Sequence, residues 1–205
     1  MTTLTFHEES HSYFVDGLRY PSVTQIIGAA GLVDYSHVPA VALETARQQG
    51  QATHRMIELD SAGTLDVDAL PEWMGPVWKA WSAFKESSGF VPILNEYRAH
   101  HPTLRFAGTM DLVGELPKLK GWKGAALIDV KRSLFGGPVI GLQTAAYAML
   151  LESDPGMPKI NRRGALRIGN DGRFVLQPFD EASDRATFLA LLTLNRFREK
   201  HNLKG

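Results

Sequence analysis

The chain has 205 residues, 44% of them hydrophobic and 21% charged, with 22 basic residues balancing 22 acidic ones. Those proportions suit a globular protein with a real core, and the zero formal charge excludes a global electrostatic pull on nucleic acid while leaving room for a local basic patch. There is no cysteine, which excludes disulfides, thiolate zinc sites, iron–sulfur clusters and a cysteine nucleophile.

Any metal must then be held by Asp, Glu, His or backbone carbonyls, a donor set suited to Mg²⁺ or Mn²⁺. The opening MTTLTFHEESHSYF has no basic stretch leading into an apolar run, so no signal peptide is expected. No apolar run approaches the ~18 residues that would suggest a membrane span. The expected location is the cytoplasm.

In chain order, residues 4–20 read as a hairpin. Alternation through His11, Ser12, Tyr13, Phe14 and Val15 leads into the tight-turn pair Asp16-Gly17. Ser22 is placed to cap a short helix carrying Val23, Ile26 and Ile27. A longer helix is predicted after Pro39, along VALETARQQGQATHRMIELD, with Gly50 an interruption. Met74, Val77, Trp78, Trp81 and Phe84 recur at helical spacing, and Gly89 ends that helix.

Strands are predicted over 90–97, 104–115 and 125–132, the last two joined by the loop LPKLKGWKG. VIGLQTAAYAMLLES follows as a helix starting near Pro138. Residues 164–169 and 173–179 form a second hairpin around Asp171-Gly172. Residues 180–200 make a final helix with Phe188, Leu191, Leu192 and Phe197 in the core. No repeat, low-complexity tract or linker is evident. The predicted fold is one α/β domain, a central mixed β-sheet flanked by helices. It divides into an N-terminal hairpin and helices over 1–89, a sheet and helix over 90–152, and a C-terminal hairpin and helix over 164–200.

The segment AALIDVKR sets Asp129 and Lys131 two residues apart at the end of an apolar run, so a strand would aim a carboxylate and an amine from one face. RFAGTMDLVG carries Asp111 in a second apolar strand; if the two strands pair, Asp111 and Asp129 can meet at one metal. Two carboxylates at one site repel and are costly to desolvate, and a divalent cation removes that cost. The same residues also fit strand-end charges in solvent. Gln143 and Tyr147, four apart, share one face of the following helix, either toward that strand or as an exposed Gln beside a half-buried Tyr. His54, in RQQGQATHRMIE, fits a surface histidine or, as a neutral imidazole, a third metal ligand.

Taken in order, Gly50…His54, Glu96, Gly108-Thr109-Met110-Asp111, Asp129-Val130-Lys131 and Gln143…Tyr147 resemble the successive motifs of the PD-(D/E)XK nucleases, in their RecB-like and phage-exonuclease branch. YFVDGLRYPSVTQII resembles the opening of phage-encoded members. The resemblance covers roughly residues 11–150. It departs from the family pattern at Met110, where Pro is usual, and at Asp129, where Glu is common; the missing cysteines separate the chain from the iron–sulfur members.

The resemblance implies a restriction-endonuclease-like core and a Mg²⁺- or Mn²⁺-dependent deoxyribonuclease. The activity implied is that of an exonuclease for recombination or DNA processing, in a bacterial host cytoplasm if phage-encoded. His54, Asp111, Asp129 and the Val130 carbonyl would bind the metal, Lys131 would be the catalytic lysine, and Glu96 a supporting acid. Gln143 and Tyr147 would hold the Lys131 strand and contact DNA. The partners implied are double- or single-stranded DNA with a free end, and a single-strand annealing protein or other recombination partner. The alternatives are a structure-specific endonuclease, a DNA- or protein-binding module on the same fold, and a hydrolase of a small phosphorylated substrate. No Gly-rich phosphate loop supports the last.

Outside these motifs, Arg162, Arg163, Arg167 and Arg173 make the C-terminal hairpin basic and available to phosphates, or simply solvated. Trp122, among Lys118, Lys120 and Lys123, could reach DNA or lie in a solvated turn. Trp73, Trp78 and Trp81 could stack on bases or wedge a DNA end; Trp78 and Trp81 also fit core positions, and Trp73 beside Pro71 is the better surface candidate.

Overall fold

The computed structural model of the protein describes residues 2–34, 36, 38–132 and 137–203. Strands β1 (Leu4–His7), β2 (Ser12–Val15) and β3 (Leu18–Tyr20) form an antiparallel meander, one strand more than the predicted hairpin. Asp16 and Gly17 join β2 to β3 with φ of 49° and 79°, the pair of left-handed residues that a two-residue turn between twisted strands requires. Tyr13, Val15 and Tyr20 bury one face of this small sheet against Ala107.

Helix α1 (Val23–Ala29) starts at a capping box, in which Ser22 and Gln25 each satisfy the other's backbone N–H. Helix α2 (Ala40–Ser61) runs unbroken through Gly50. A helical glycine costs only about 1 kcal/mol relative to alanine, and burial of Thr53, Met56 and Ile57 beyond it outweighs that cost. After a single 3₁₀ turn at Glu72–Met74 comes α3 (Gly75–Ser88). It ends at Gly89, whose φ of 64° carries the chain out of the helix.

The main sheet has five strands in sequence order: β4 (Val91–His100), β5 (Ala107–Glu115), β6 (Ala125–Lys131), β7 (Arg162–Ile168) and β8 (Phe174–Pro178). Neighbours are antiparallel except β6 and β7, which are parallel. Parallel neighbours need a crossover, and α4 (Pro138–Glu152) supplies it. The sheet lies on one side of α4, and α1 and α5 (Asp184–Lys200) lie on others. Hence α4 is apolar nearly all round and buried from Ile140 to Leu151, Gln143 excepted.

Two cores result. One lies between the sheet and α1, α4 and α5, around Phe106, Leu127, Ala146, Leu150 and Phe188. The other lies under α2 and α3, around Met56, Trp81, Phe84, Ile128 and Leu166. Phe197, predicted to be buried, is 53% exposed. The buried stripe of α5 runs Asp184, Phe188, Leu192 at four-residue spacing, and Phe197 falls off it. Among the described residues no helix is long and apolar enough to cross a membrane.

Two glycines test this packing in opposite directions. A Cβ at Gly114 would lie 2.5 Å from the Val91 carbonyl oxygen and 2.4 Å from the Phe90 ring, whereas one at Gly50 meets nothing within 4 Å. Gly114→Ala is expected to lower stability by about 2 kcal/mol through overpacking. Gly50→Ala should raise it by roughly 0.5–1 kcal/mol through helix propensity. Urea unfolding of both variants checks this; equal effects would contradict the packing described.

Candidate metal centre and its cleft

The site forms where the ladder between β5 and β6 ends. Those strands pair from Glu115↔Ala125 to Leu112↔Ile128. One step on, the acceptor for the Val130 N–H is a side chain, Asp111 Oδ2, at 2.6 Å. Asp111 is thereby anchored at the mouth of the opening strands. Across β4, Asn95 faces Leu112 and Tyr97 faces Met110, with Glu96 between them. Glu96 has φ of 46°, a left-handed conformation that a non-glycine residue seldom adopts inside a strand. Outliers of this kind are retained where the surrounding structure over-determines them.

The carboxylate of Glu96 meets His54 of α2, whose Nδ1 lies 2.9 Å from Glu96 Oε1 and 3.6 Å from Asp111 Oδ1. His54, Glu96 and Asp111 each offer a ligand atom, and these atoms all lie within 4.8 Å of one another. Burial alone would depress the His54 pKa. The charge of Asp111 and the hydrogen bond and charge of Glu96 outweigh it, with Lys131 opposing weakly, and raise it to about 9. A histidine that holds its proton so firmly marks a point of strongly negative potential. One imidazole and two carboxylates converging there fit a divalent cation.

Asp129 and Lys131 do share a face of β6. Lys131 Nζ lies 2.8 Å from Asp129 Oδ2. Asp129 is 1% exposed, and its other oxygen accepts from Gln143 Nε2 at 2.9 Å. Burial is the largest influence on the Asp129 carboxyl and raises its pKa, with Asp111 adding to the rise and Lys131 opposing it. The Gln143 amide also donates to the Tyr147 hydroxyl at 3.1 Å. Tyr147 is buried, and burial first, then Asp129 and Asp111, keeps its phenol pKa well above the ordinary value. Its ring lies against Gly108, where a Cβ would come within 2.6 Å of Cε1, so the strand must be bare there. Gln143 and Tyr147, on one face of α4, thus reach Asp129 and the bare backbone of β5.

The predicted residues therefore assemble with one difference in grouping. Glu96, expected to support, stands with His54 and Asp111, while Asp129 is bound to Lys131 and Gln143. Val130 contributes its N–H to Asp111, and its side chain packs in the α2–α3 core. His54, Glu96, Asp111, Lys131 and Tyr147 all line one cleft of about 730 Å³ between α2 and the N-terminal sheet.

Arg162, Arg163 and Trp122, also expected from sequence to meet DNA, lie outside this cleft. Arg163 donates to the Gly141 carbonyl at 2.7 Å and to Asp184 Oδ2 at 3.0 Å, bolting β7 to α4 and α5. Arg162 donates to the Gly121 carbonyl at 2.9 Å. Trp122 is half-buried, with its ring over Gly164. None of the three lines the cleft. Missed from sequence were Arg98 and Tyr13, which do. Arg98, two residues from Glu96 on a strand, was the one a period-two reading could have found.

No protein-family model matches the chain, and no curated protein matches it. Among solved structures it is similar to SSO0001, at 17% identity over 69% of this chain and 69% of that one, with a TM-score of 0.32. It is also similar to an alkaline exonuclease from Laribacter hongkongensis, at 14% identity over 86% of this chain and 91% of that one, with a TM-score of 0.33. Likeness at this level says nothing about activity.

The raised His54 pKa makes stability pH-dependent in a chelator. A group whose pKa rises from 6.5 on folding to about 9 contributes stability that is complete below 6.5 and is lost as pH climbs through 9. Urea unfolding in EDTA should show a fall on the order of 2–3 kcal/mol across that window. His54→Gln should flatten it; an unchanged slope in the variant would contradict the assignment.

Proposed function

We propose that the protein is a divalent-metal-dependent nuclease that hydrolyses phosphodiester bonds of DNA, acting at a free end. The observation that carries the reading is the convergence of His54, Glu96 and Asp111 within 4.8 Å, in the same cleft as Lys131. The ordered motifs support it, since the residues that resemble the PD-(D/E)XK set come from α2, β4, β5, β6 and α4 and meet in one place. Arginines at the cleft wall suit a polyanionic substrate.

In this reading His54, Glu96 and Asp111 hold a Mg²⁺ or Mn²⁺ ion, with the Asp129 carboxylate and the Val130 carbonyl as further oxygens on β6. When bound, the ion lowers the pKa of a water and polarises a phosphoryl oxygen. One nitrogen among oxygen donors favours Mn²⁺ over Mg²⁺.

Lys131 places a positive charge beside the phosphate, where negative charge grows during attack. Asp129 orients that amine, and Gln143 fixes Asp129. Tyr147 closes the floor of the cleft and keeps water from the Asp129 carboxylate. His54 must give up its proton to bind a metal, so metal binding is coupled to proton release. Hydrolysis leaves a 5′-phosphate and a 3′-hydroxyl.

The direct test uses linear duplex labelled at either end, closed circular duplex and single-stranded DNA, with Mg²⁺, Mn²⁺ or EDTA. Linear duplex should be degraded, the circle spared, and all cleavage lost in EDTA. Asp111→Ala and Lys131→Ala should each reduce the rate by about 10²-fold or more. Cutting of the circle would make the protein an endonuclease. Full metal-dependent cleavage by Asp111→Ala would remove the site assignment, and cleavage of no substrate would favour a binding module.

Calorimetry of Mn²⁺ binding in two buffers of different ionisation enthalpy supplies a separate check. At pH 7.5 the His54 reading gives release of about one proton per ion, falling toward zero above pH ~10. Release independent of pH would contradict it.

A further inference from the structure

Three guanidinium groups line the cleft that holds the candidate metal centre: those of Arg47, Arg55 and Arg98. Two are engaged by acids of their own helix, Arg47 with Glu44 at 2.7 Å and Arg55 with Glu58 at 2.5 Å. Arg98 is held differently. Its guanidinium lies over the ring of Phe6, 4.6 Å from the centroid, and it makes no ion pair among the described residues.

Phe6 is itself fixed. Tyr13 packs against it at 4.8 Å between centroids, and His11 meets it edge-on at 5.1 Å. His11 sits in the β1–β2 turn at φ of 45°, with its N–H on the Glu8 carbonyl. The hairpin thus presents an aromatic bed at one wall of the cleft, and the bed carries a cation. A guanidinium held over a ring by a cation–π contact can still use its N–H donors, and it has less rotamer freedom to lose when it binds.

Position gives this arrangement a meaning. Arg98 stands two residues beyond Glu96 on β4, roughly 7 Å along a strand, comparable to the step between successive phosphates of one nucleic-acid strand. Its cross-strand partner is Thr109, whose hydroxyl is shared with that of Tyr13 at 2.7 Å, so the neighbouring wall is polar and fixed as well.

We propose that Arg98, laid on Phe6, binds the non-bridging oxygens of the phosphate next to the scissile one, making the β1–β2 hairpin part of the nucleic-acid contact surface. The proposal rests on the nuclease reading of the same cleft. It assigns substrate positioning to an arginine and a phenylalanine 92 positions apart in sequence, brought together by the packing of the small sheet on β5.

The test measures binding and turnover separately. Fluorescein-labelled single-stranded and duplex oligonucleotides are titrated in EDTA by anisotropy, and cleavage is followed in Mn²⁺, for wild type, Arg98→Ala, Arg98→Lys and Phe6→Leu. Lys159→Ala, an exposed cation outside the cleft, is the control for net charge. Arg98→Ala should weaken binding about tenfold, raise KM by more than it lowers kcat, and reduce the salt slope of binding by about one. Arg98→Lys should recover part of the affinity, and Phe6→Leu should fall between it and wild type. An unchanged thermal midpoint would separate these effects from unfolding.

If wild type cleaves DNA and Arg98→Ala matches Lys159→Ala in affinity, KM and salt slope, the Arg98 role is overturned while the nuclease reading stands. If wild type neither binds nor cleaves any of the substrates, both are overturned.

Discussion

A carboxylate buried among apolar strands is tolerable only if positive charge and donors come to it. Asp129, 1% exposed at the end of β6, sets that requirement for the whole site. Lys131 answers it from two residues along the strand and Gln143 from the crossover helix. On the neighbouring strand Asp111 replaces a ladder carbonyl as acceptor for Val130, so β5 and β6 can part without orphaning a buried N–H. The opening this creates is the floor of the cleft.

The remaining pieces follow from the same electrostatics. Once Asp111 is fixed beside the opening, a second acid close to it is repulsive unless a cation intervenes. Glu96 is brought there by a left-handed residue within β4, and His54 reaches both acids from α2 as a protonated imidazole. An arrangement that holds a proton on histidine up to about pH 9 is one that favours positive charge. A divalent ion meets that preference more completely than a proton, because it satisfies both carboxylates and accepts the neutral imidazole as a ligand. The α4 crossover, the α2 helix and the small N-terminal sheet then serve to bring four sequence-distant segments to one end of the main sheet.

Much of this was legible in the sequence, because the signals were local. Asp16-Gly17, the Ser22 cap, Gly89 and the apolar run before Asp129 each specify backbone geometry within a few residues. The two-residue spacing of Asp129 and Lys131 and the four-residue spacing of Gln143 and Tyr147 carried through to a contact and a hydrogen bond. Non-local features were not legible. The family resemblance put Glu96 near the metal as a supporting acid, but nothing in the sequence around it shows the left-handed backbone that sets it directly beside His54 and Asp111. Gly50 reads as an interruption, yet burial beyond it keeps α2 whole. Arg163 and Trp122 read as surface groups, but Asp184 and the bare backbone of Gly164 engage them.

The central claim is that His54, Glu96 and Asp111 jointly hold a divalent cation. Anomalous diffraction from crystals grown with Mn²⁺ tests it most directly. The account predicts one strong peak within bonding distance of a His54 ring nitrogen and of both the Glu96 and Asp111 carboxylates. A fully occupied peak away from these three, or none at saturating Mn²⁺ with His54 still paired to Glu96, would contradict it.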